Sequence, residues 1–331
     1  MPDAIELGLD TFGDVTVSPD GTLISQAQAL RHVVEEAVLA ESVGVDCFGV
    51  GEHHRADFAI SAPEVVLAAI AGKTTKMTLG SAVTVLSTDD PVRVFQRFST
   101  LNALSNGRAE VILGRGSFTE SYSLFGYDLS QYEELFETKL ARFAGLLKGA
   151  QVVYPPIEAG TLRTWVGVGG SPESVVRAAR HGLPLTLAII GGSAQRFRPF
   201  VDLYHQSLAK FGKPTQPVAV HSPGHIAATD DQAKEELWPH YQAMMTRIGA
   251  ERGWPPVARA NFEREAGPDG ALYVGSPETV AAKIARTIQA LGLARFDMKY
   301  SAGTLPHAQA MSSIELYGTK VAPLVRDRLA G

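Results

Sequence analysis

Short apolar runs alternate with longer amphipathic stretches about eight times along this 331-residue chain, and that alternation constrains the fold more than any single motif. An apolar run bounded by polar turns reads as a buried strand, whereas apolar positions every three or four residues read as one buried helix face. The runs are Ile5–Leu9, Val45–Val50, Met77–Val83, Ala109–Gly114, Thr164–Val168, Leu185–Ile190, Val218–Ala227 and Phe296–Tyr300. Helices are predicted over Gln26–Val43, Pro63–Lys73, Pro91–Leu104 and Gln131–Lys148, with a last one from Pro306 to Leu329. Ser25 is placed to cap the first of these and Gly44 to end it. Strict alternation implies a parallel sheet covered by helices. Eight units in this length point to an α/β fold of the closed (β/α)8 TIM-barrel kind. No Pro/Gly/Ser-rich linker divides the chain, so residues 1–331 are read as one domain with insertions in the loops after strands 4 and 7. Tyr154–Arg163 is read as a small hairpin, and Asp230–Gly275 as an extra helix plus a loop rich in Pro, Glu and Arg.

Composition excludes several classes. A net charge of −5, with no Lys/Arg cluster that could track phosphates, argues against a nucleic-acid partner. No apolar run approaches the ~20 residues needed to span a bilayer. Met1-Pro2-Asp3-Ala4 lacks the basic-then-apolar pattern of a signal peptide, so a cytoplasmic location is expected. The single cysteine, Cys47, lies in an apolar run and reads as a small buried hydrophobe.

Chemistry-bearing residues gather where strands end, the places from which loops of a barrel converge on one pocket. After the second strand stands Gly51-Glu52-His53-His54-Arg55. Two imidazoles beside a carboxylate suit proton transfer or anion stabilisation, and equally suit a polar surface turn. Neighbours on an extended segment point in opposite directions, so His53 and His54 are not expected to share a metal, and no metal site is assigned. The third strand ends in Ser81-Ala82-Val83-Thr84, small residues that let a flat ligand approach the backbone. After the fourth comes Gly114-Arg115-Gly116-Ser117, where Arg115 could clamp a phosphate or pair at the rim. After the fifth comes Gly169-Gly170-Ser171-Pro172-Glu173-Ser174, which opens a helix and is either an anion site or a well-capped start. The similar Val274-Gly275-Ser276-Pro277-Glu278 is read as a cap alone. Phe12, Phe58, Phe118, Tyr122 and Trp254 could line a pocket or belong to the core.

With those residues laid out, the chain resembles the luciferase-like flavin monooxygenases, a family that includes the bacterial luciferase subunits and alkanesulfonate monooxygenase. The likeness runs through Ile5–Gly8, Phe48–His54, Thr84–Arg93, Leu104–Arg108, Gly114–Gly116, Arg177–Pro184 and Ser313–Gly318. It implies a (β/α)8 barrel and an enzyme that binds reduced FMN, or in one branch the deazaflavin F420, at the barrel mouth. It implies that His53 is the catalytic histidine, tuned by Glu52 or His54. It likewise implies that Ala82 and Val83 back the flavin ring, often across a non-prolyl cis peptide. Arg115, Gly170, Ser171 and Ser174 match the flavin-phosphate site. The implied reaction oxidises a small organic substrate with O2, with reduced flavin supplied by a separate reductase, in a protein that is often a homodimer. Gly170 departs from bacterial luciferase, where the position is acidic. The segment Glu251–Tyr273 is shorter than luciferase's mobile loop, so light emission is not expected. The competing readings are an F420-dependent hydride-transfer oxidoreductase, a non-catalytic flavin-binding partner subunit and, least favoured, a metal-dependent barrel hydrolase.

Overall fold

The computed structural model describes residues 5–330, and the terminal Met1-Pro2-Asp3-Ala4 examined for a leader lies outside them. The elements run β1 (Glu6–Thr11), α1 (Gln26–Ser42), β2 (Cys47–Val50), α2 (Pro63–Ala71), β3 (Thr78–Val85), α3 (Pro91–Leu104) and β4 (Ala109–Gly114). They continue with α4 (Glu120–Leu124), α5 (Tyr132–Leu147), β5 (Arg163–Val168), α6 (Pro172–His181), β6 (Leu185–Ala188), α7 (Arg198–Lys210) and β7 (Val218–Ile226). The last are α8 (Asp230–Arg252), α9 (Arg259–Ala266), β8 (Tyr273–Gly275), α10 (Pro277–Leu291), β9 (Arg295–Lys299), α11 (His307–Leu316) and α12 (Ala322–Ala330).

Strands β1 to β7 and β9 pair in parallel, and the β6–β7 and β9–β1 pairings close them into an eight-stranded barrel. Short β8 is a ninth strand outside this ring, paired with the end of β7 through Gly224↔Tyr273 to Ile226↔Gly275. Leu7, Leu9, Phe296 and Met298 point outward into the helix layer, where they join the main core. Their alternates point into the barrel. A Cβ on Gly8 would lie 2.0 Å from Asp297 Oδ1, which places both inside.

The base of the barrel interior is charged rather than apolar. Arg163 pairs with Glu6 at 2.9 Å and with Glu110 at 2.9 Å, while Arg295 pairs with Glu110 and, at 2.8 Å, with Asp297. Above this layer Ile112, Trp165 and Ala219 form a separate apolar cluster, with Ala82 and Val83 packed on it and partly exposed. That cluster is the floor of the mouth.

The ends of α1 follow the residues expected: Ser25 accepts the Gln28 N–H, and Gly44 lies in the left-handed region just past the helix. Asp90 likewise caps α3, accepting the N–H groups of Val92 and Arg93. One expectation needs correction. Tyr154–Arg163 is no hairpin: up to Leu162 it is irregular, and its backbone is held from α3 by Gln96 (to Tyr154 O, 2.9 Å) and Asn102 (to Ala159 O, 2.5 Å). The final helix runs from His307 to Ala330 as expected, with a π turn over Tyr317–Val321 between α11 and α12. Gly318 there packs so closely on the end of α1 that a Cβ would stand 2.5 Å from Val43 O. After β7, the predicted extra helix is α8, and with α9 and β8 it builds its own small core of Leu237, Tyr241, Phe262, Leu272 and Val274.

Candidate active site at the barrel mouth

The loop after β2 sends its two histidines to different surroundings. His53 lies among three phenylalanines, with ring centroids 4.3 Å from Phe12, 4.6 Å from Phe58 and 5.4 Å from Phe118. Burial in that cage disfavours the imidazolium and pushes the His53 pKa down to about 4, so the ring is neutral at physiological pH. Its Nδ1 is buried with no hydrogen-bond partner among the described residues. His54 turns away, with Nε2 2.8 Å from Glu52 Oε1 and its ring edge-on to Phe125.

Glu52 faces β3. Its N–H donates to Val83 O at 3.0 Å, and its carboxylate accepts the Val85 N–H at 2.8 Å. It thus grips both flanks of the bulge between Ala82 and Thr84, where the Ala82–Val83 peptide is cis. Glycines make room for this bulge. A Cβ on Gly114 would come within 2.5 Å of Val83 Cγ2, one on Gly167 within 2.9 Å of Val83 Cγ1, and one on Gly51 within 2.7 Å of Ala82 O. Ala82 and Val83 are therefore presented toward the mouth while their neighbours Ser81 and Thr84 are buried.

The second cluster joins the ends of β4 and β5. Arg115 pairs with Glu133 and lies over the Tyr132 ring at 5.0 Å. Glu133 also accepts from Arg177 at 2.9 Å, and Arg177 reaches Ser174 Oγ at 3.4 Å. Arg115 and Ser174 are thus brought together through Glu133 and Arg177. Ser171 caps α6, accepting the Ser174 N–H at 3.3 Å and donating to Glu173 at 2.8 Å. Gly170, at φ +113°, occupies backbone space that a side chain would strain to share. Two guanidiniums, two hydroxyls and a helix start form a set suited to an anion, with the half-exposed Glu133 as the partner it would displace. Sequence reasoning noted Arg177 only within a motif; a basic residue one turn after the Ser-Pro-Glu cap was the available signal.

Of the five aromatics considered for a pocket, Phe12, Phe58 and Phe118 surround His53. Tyr122 is buried against Tyr132, and Trp254 lies at the rim beside Arg252. The insertion after β7 reaches this rim. Arg55 binds Asp57, Glu120 and Glu251, Arg247 binds Asp57 at 2.7 Å, and Arg252 donates to Ser117 O at 3.1 Å. Inside, Asp10 of β1 and His221 of β7 meet at 2.7 Å beneath Phe12, a pairing not anticipated. A titratable residue at an inward position of an apolar strand was the clue available for each.

A parallel eight-stranded barrel with polar groups converging on its C-terminal mouth defines a (β/α)8 protein built in the manner of the barrel enzymes. The chain belongs to the luciferase-like monooxygenase family, whose model matches residues 11–295. It is 28% identical over 218 residues to the alkanal monooxygenase alpha chain of Photorhabdus luminescens, an alignment covering 61% of this chain and 59% of that one. This chain therefore spans less than two thirds of that curated relative. Among solved structures it superposes on the oxygenating constituent of 3,6-diketocamphane monooxygenase of Pseudomonas putida, in complex with FMN. That match has a TM-score of 0.79 at 19% identity and covers 97% of this chain and 99% of that one. It also superposes on the coenzyme F420-dependent tetrahydromethanopterin reductase of Methanopyrus kandleri, with a TM-score of 0.69 at 17% identity, covering 97% and 99%. Those two structural likenesses establish a shared fold.

Proposed function

We propose that this chain is an FMN-dependent monooxygenase that receives reduced flavin from a separate reductase and oxidises a small organic substrate with O2. The observation that carries this reading is the Ala82–Val83 bulge, held by Glu52, cleared by Gly51, Gly114 and Gly167, and presented toward the same mouth as His53. A flat ring fits against such a surface because no side chain larger than Val83 rises from it. The phosphate would be held by Arg115, Arg177, Gly170, Ser171 and Ser174. When bound, reduced flavin supplies the electrons for oxygen chemistry, and the protein orients it and keeps water out.

In this reading His53 offers a neutral ring nitrogen in an aromatic cage, able to hold a hydrogen bond or a proton at the reacting face. Glu52 and His54 act behind it: Glu52 fixes the bulge, and His54 completes the Glu52 carboxylate's hydrogen bonds. The chain carries no dinucleotide fingerprint, which favours reduction by a partner. The same mouth would admit F420, the cofactor in the name of the Methanopyrus structural neighbour, and hydride transfer is the second reading.

Anaerobic titration of the purified protein with FMN, reduced FMN and F420, followed by admission of air, separates these. Tight binding of reduced FMN with an oxygen-dependent change in flavin absorbance is expected. Preference for F420 without that change would replace monooxygenation by hydride transfer, and binding of none of the three would overturn both.

A further inference from the structure

The Asp10–His221 pair is unused by the reading above, yet it is built as a directed dyad. Asp10 is buried, and one of its oxygens meets His221 Nδ1 at 2.7 Å while the other has no partner among the described residues. The imidazole keeps 13% of its side-chain surface exposed, against 2% for Asp10. With Nδ1 engaged, the remaining ring nitrogen, Nε2, makes no hydrogen bond among the described residues. The ring lies nearly parallel to Phe12, 15° apart with centroids at 6.1 Å, and Phe12 in turn packs on His53. Two imidazoles therefore flank one phenylalanine at the mouth, one in an apolar cage and one tied to a carboxylate.

The charged groups facing His221 come from two elements, β1 and β9. Burial alone would lower its pKa, but Asp10 on β1 and Asp297 on β9 outweigh burial and Lys299 on β9, and lift it above the ordinary value. β6 presents the uncharged Ala188 opposite it. When two titratable groups in one site are pushed apart in this way, their environments assign the acid and base roles.

We propose that His221, oriented by Asp10, is the proton donor of this site, facing the ligand backed by Ala82 and Val83 from the β7 wall. The step is a simple transfer: the Nε2–H bond breaks as an O–H or N–H bond forms on the ligand, and the neutral imidazole regains its proton from water at the rim. Asp10 is a positioning residue, acting through His221. The assignment rests on the flavin reading.

The test uses histidine-labelled full-length protein and reduced FMN as the probe. By NMR, with His221→Gln and His53→Gln for assignment, the His221 imidazole should titrate above the ordinary histidine value of 6.5, and Asp10→Asn should move it down. An unshifted His221 would remove the dyad. Anaerobic Kd values for reduced FMN are then compared between wild type and His221→Gln from pH 6 to 9. The variant should bind about tenfold more weakly at pH 6 and converge on wild type at pH 9, the size of one charge interaction in a partly buried site. A ratio independent of pH would overturn the donor role while leaving the flavin reading intact. Failure of wild type to bind flavin at any pH would overturn both, and is distinguished by the wild-type curve alone.

Discussion

Arg55 and Glu251, 196 residues apart in sequence, are joined by two hydrogen bonds of 2.9 and 2.6 Å that tie the insertion after β7 to the loop carrying His53. Hydrogen bonding of the guanidinium to the Glu251 carboxylate leads the effects that raise the Arg55 pKa above its ordinary value, so the guanidinium stays charged wherever the protein is folded. Ion pairs thus tie the insertion to the rim of the mouth.

Rim ion pairs contribute little to global stability, about 0–1 kcal/mol each, but they govern local opening. Glu251→Gln is expected to leave the melting temperature almost unchanged while speeding hydrogen exchange at the C-terminal end of α8, as would added salt. Unchanged exchange in both cases would mean that the contacts of Arg252 with the Phe118 and Trp254 rings hold the segment instead.

Glu52 is expected to be a structural residue. Glu52→Ala leaves the buried Val85 N–H without its acceptor, a loss of about 1–3 kcal/mol. Urea denaturation measures it, and reduced-flavin affinity should fall along with stability. A variant as stable as wild type would show that the bulge holds without this clamp.

Gly114→Ala inserts a methyl within 2.5 Å of Val83 Cγ2. Overpacking of this kind costs about 1–3 kcal/mol, or is relieved by moving Val83 into the mouth. Either a lower melting temperature or weaker FMN binding is therefore expected. A variant normal in both would mean that Val83 yields without consequence.

Arg115→Ala should weaken binding of FMN by tenfold or more and leave riboflavin binding within about twofold, because one charge-assisted contact to phosphate is removed. Equal effects on the two ligands would place Arg115 outside the phosphate site.

His53 makes stability depend on pH. Its folded pKa, about 4, lies below the ordinary 6.5, so the folded state binds fewer protons between those values. Its contribution is present above pH 6.5 and is lost as pH falls toward 4, up to about 3 kcal/mol in all. Asp297, raised by burial to about 6, acts in the opposite sense over an overlapping range, contributing below pH 4 and fading as pH rises through 6. Comparing His53→Gln with wild type by urea denaturation at pH 5 and 7 isolates the first effect. The variant should lose less stability on acidification.

The architecture was legible in the sequence because its signals are local. Apolar runs mark strands, and Ser25, Asp90, Ser171 and Ser276 accept backbone N–H groups at the helix starts they precede. Beside Gly318 the local pattern says helix, yet the chain takes a π turn where that glycine meets Val43, a contact no local signal carries. The motifs at strand ends named the neighbourhood of the mouth for the same reason, since a strand's last residues are known once the strand is. What the residues do there was decided only by tertiary structure. Glu52, His53 and His54 are adjacent in sequence, but the turn after β2 directs one to β3, one into a phenylalanine cage and one back to the carboxylate. Arg177 meets Arg115 only through Glu133, and Asp10 meets His221 across 211 residues because closing the barrel sets β1 and β7 on either side of β9. Local propensity determines which segments become strands and helices; the closure of eight strands determines which side chains share a space, and the chemistry depends on that space.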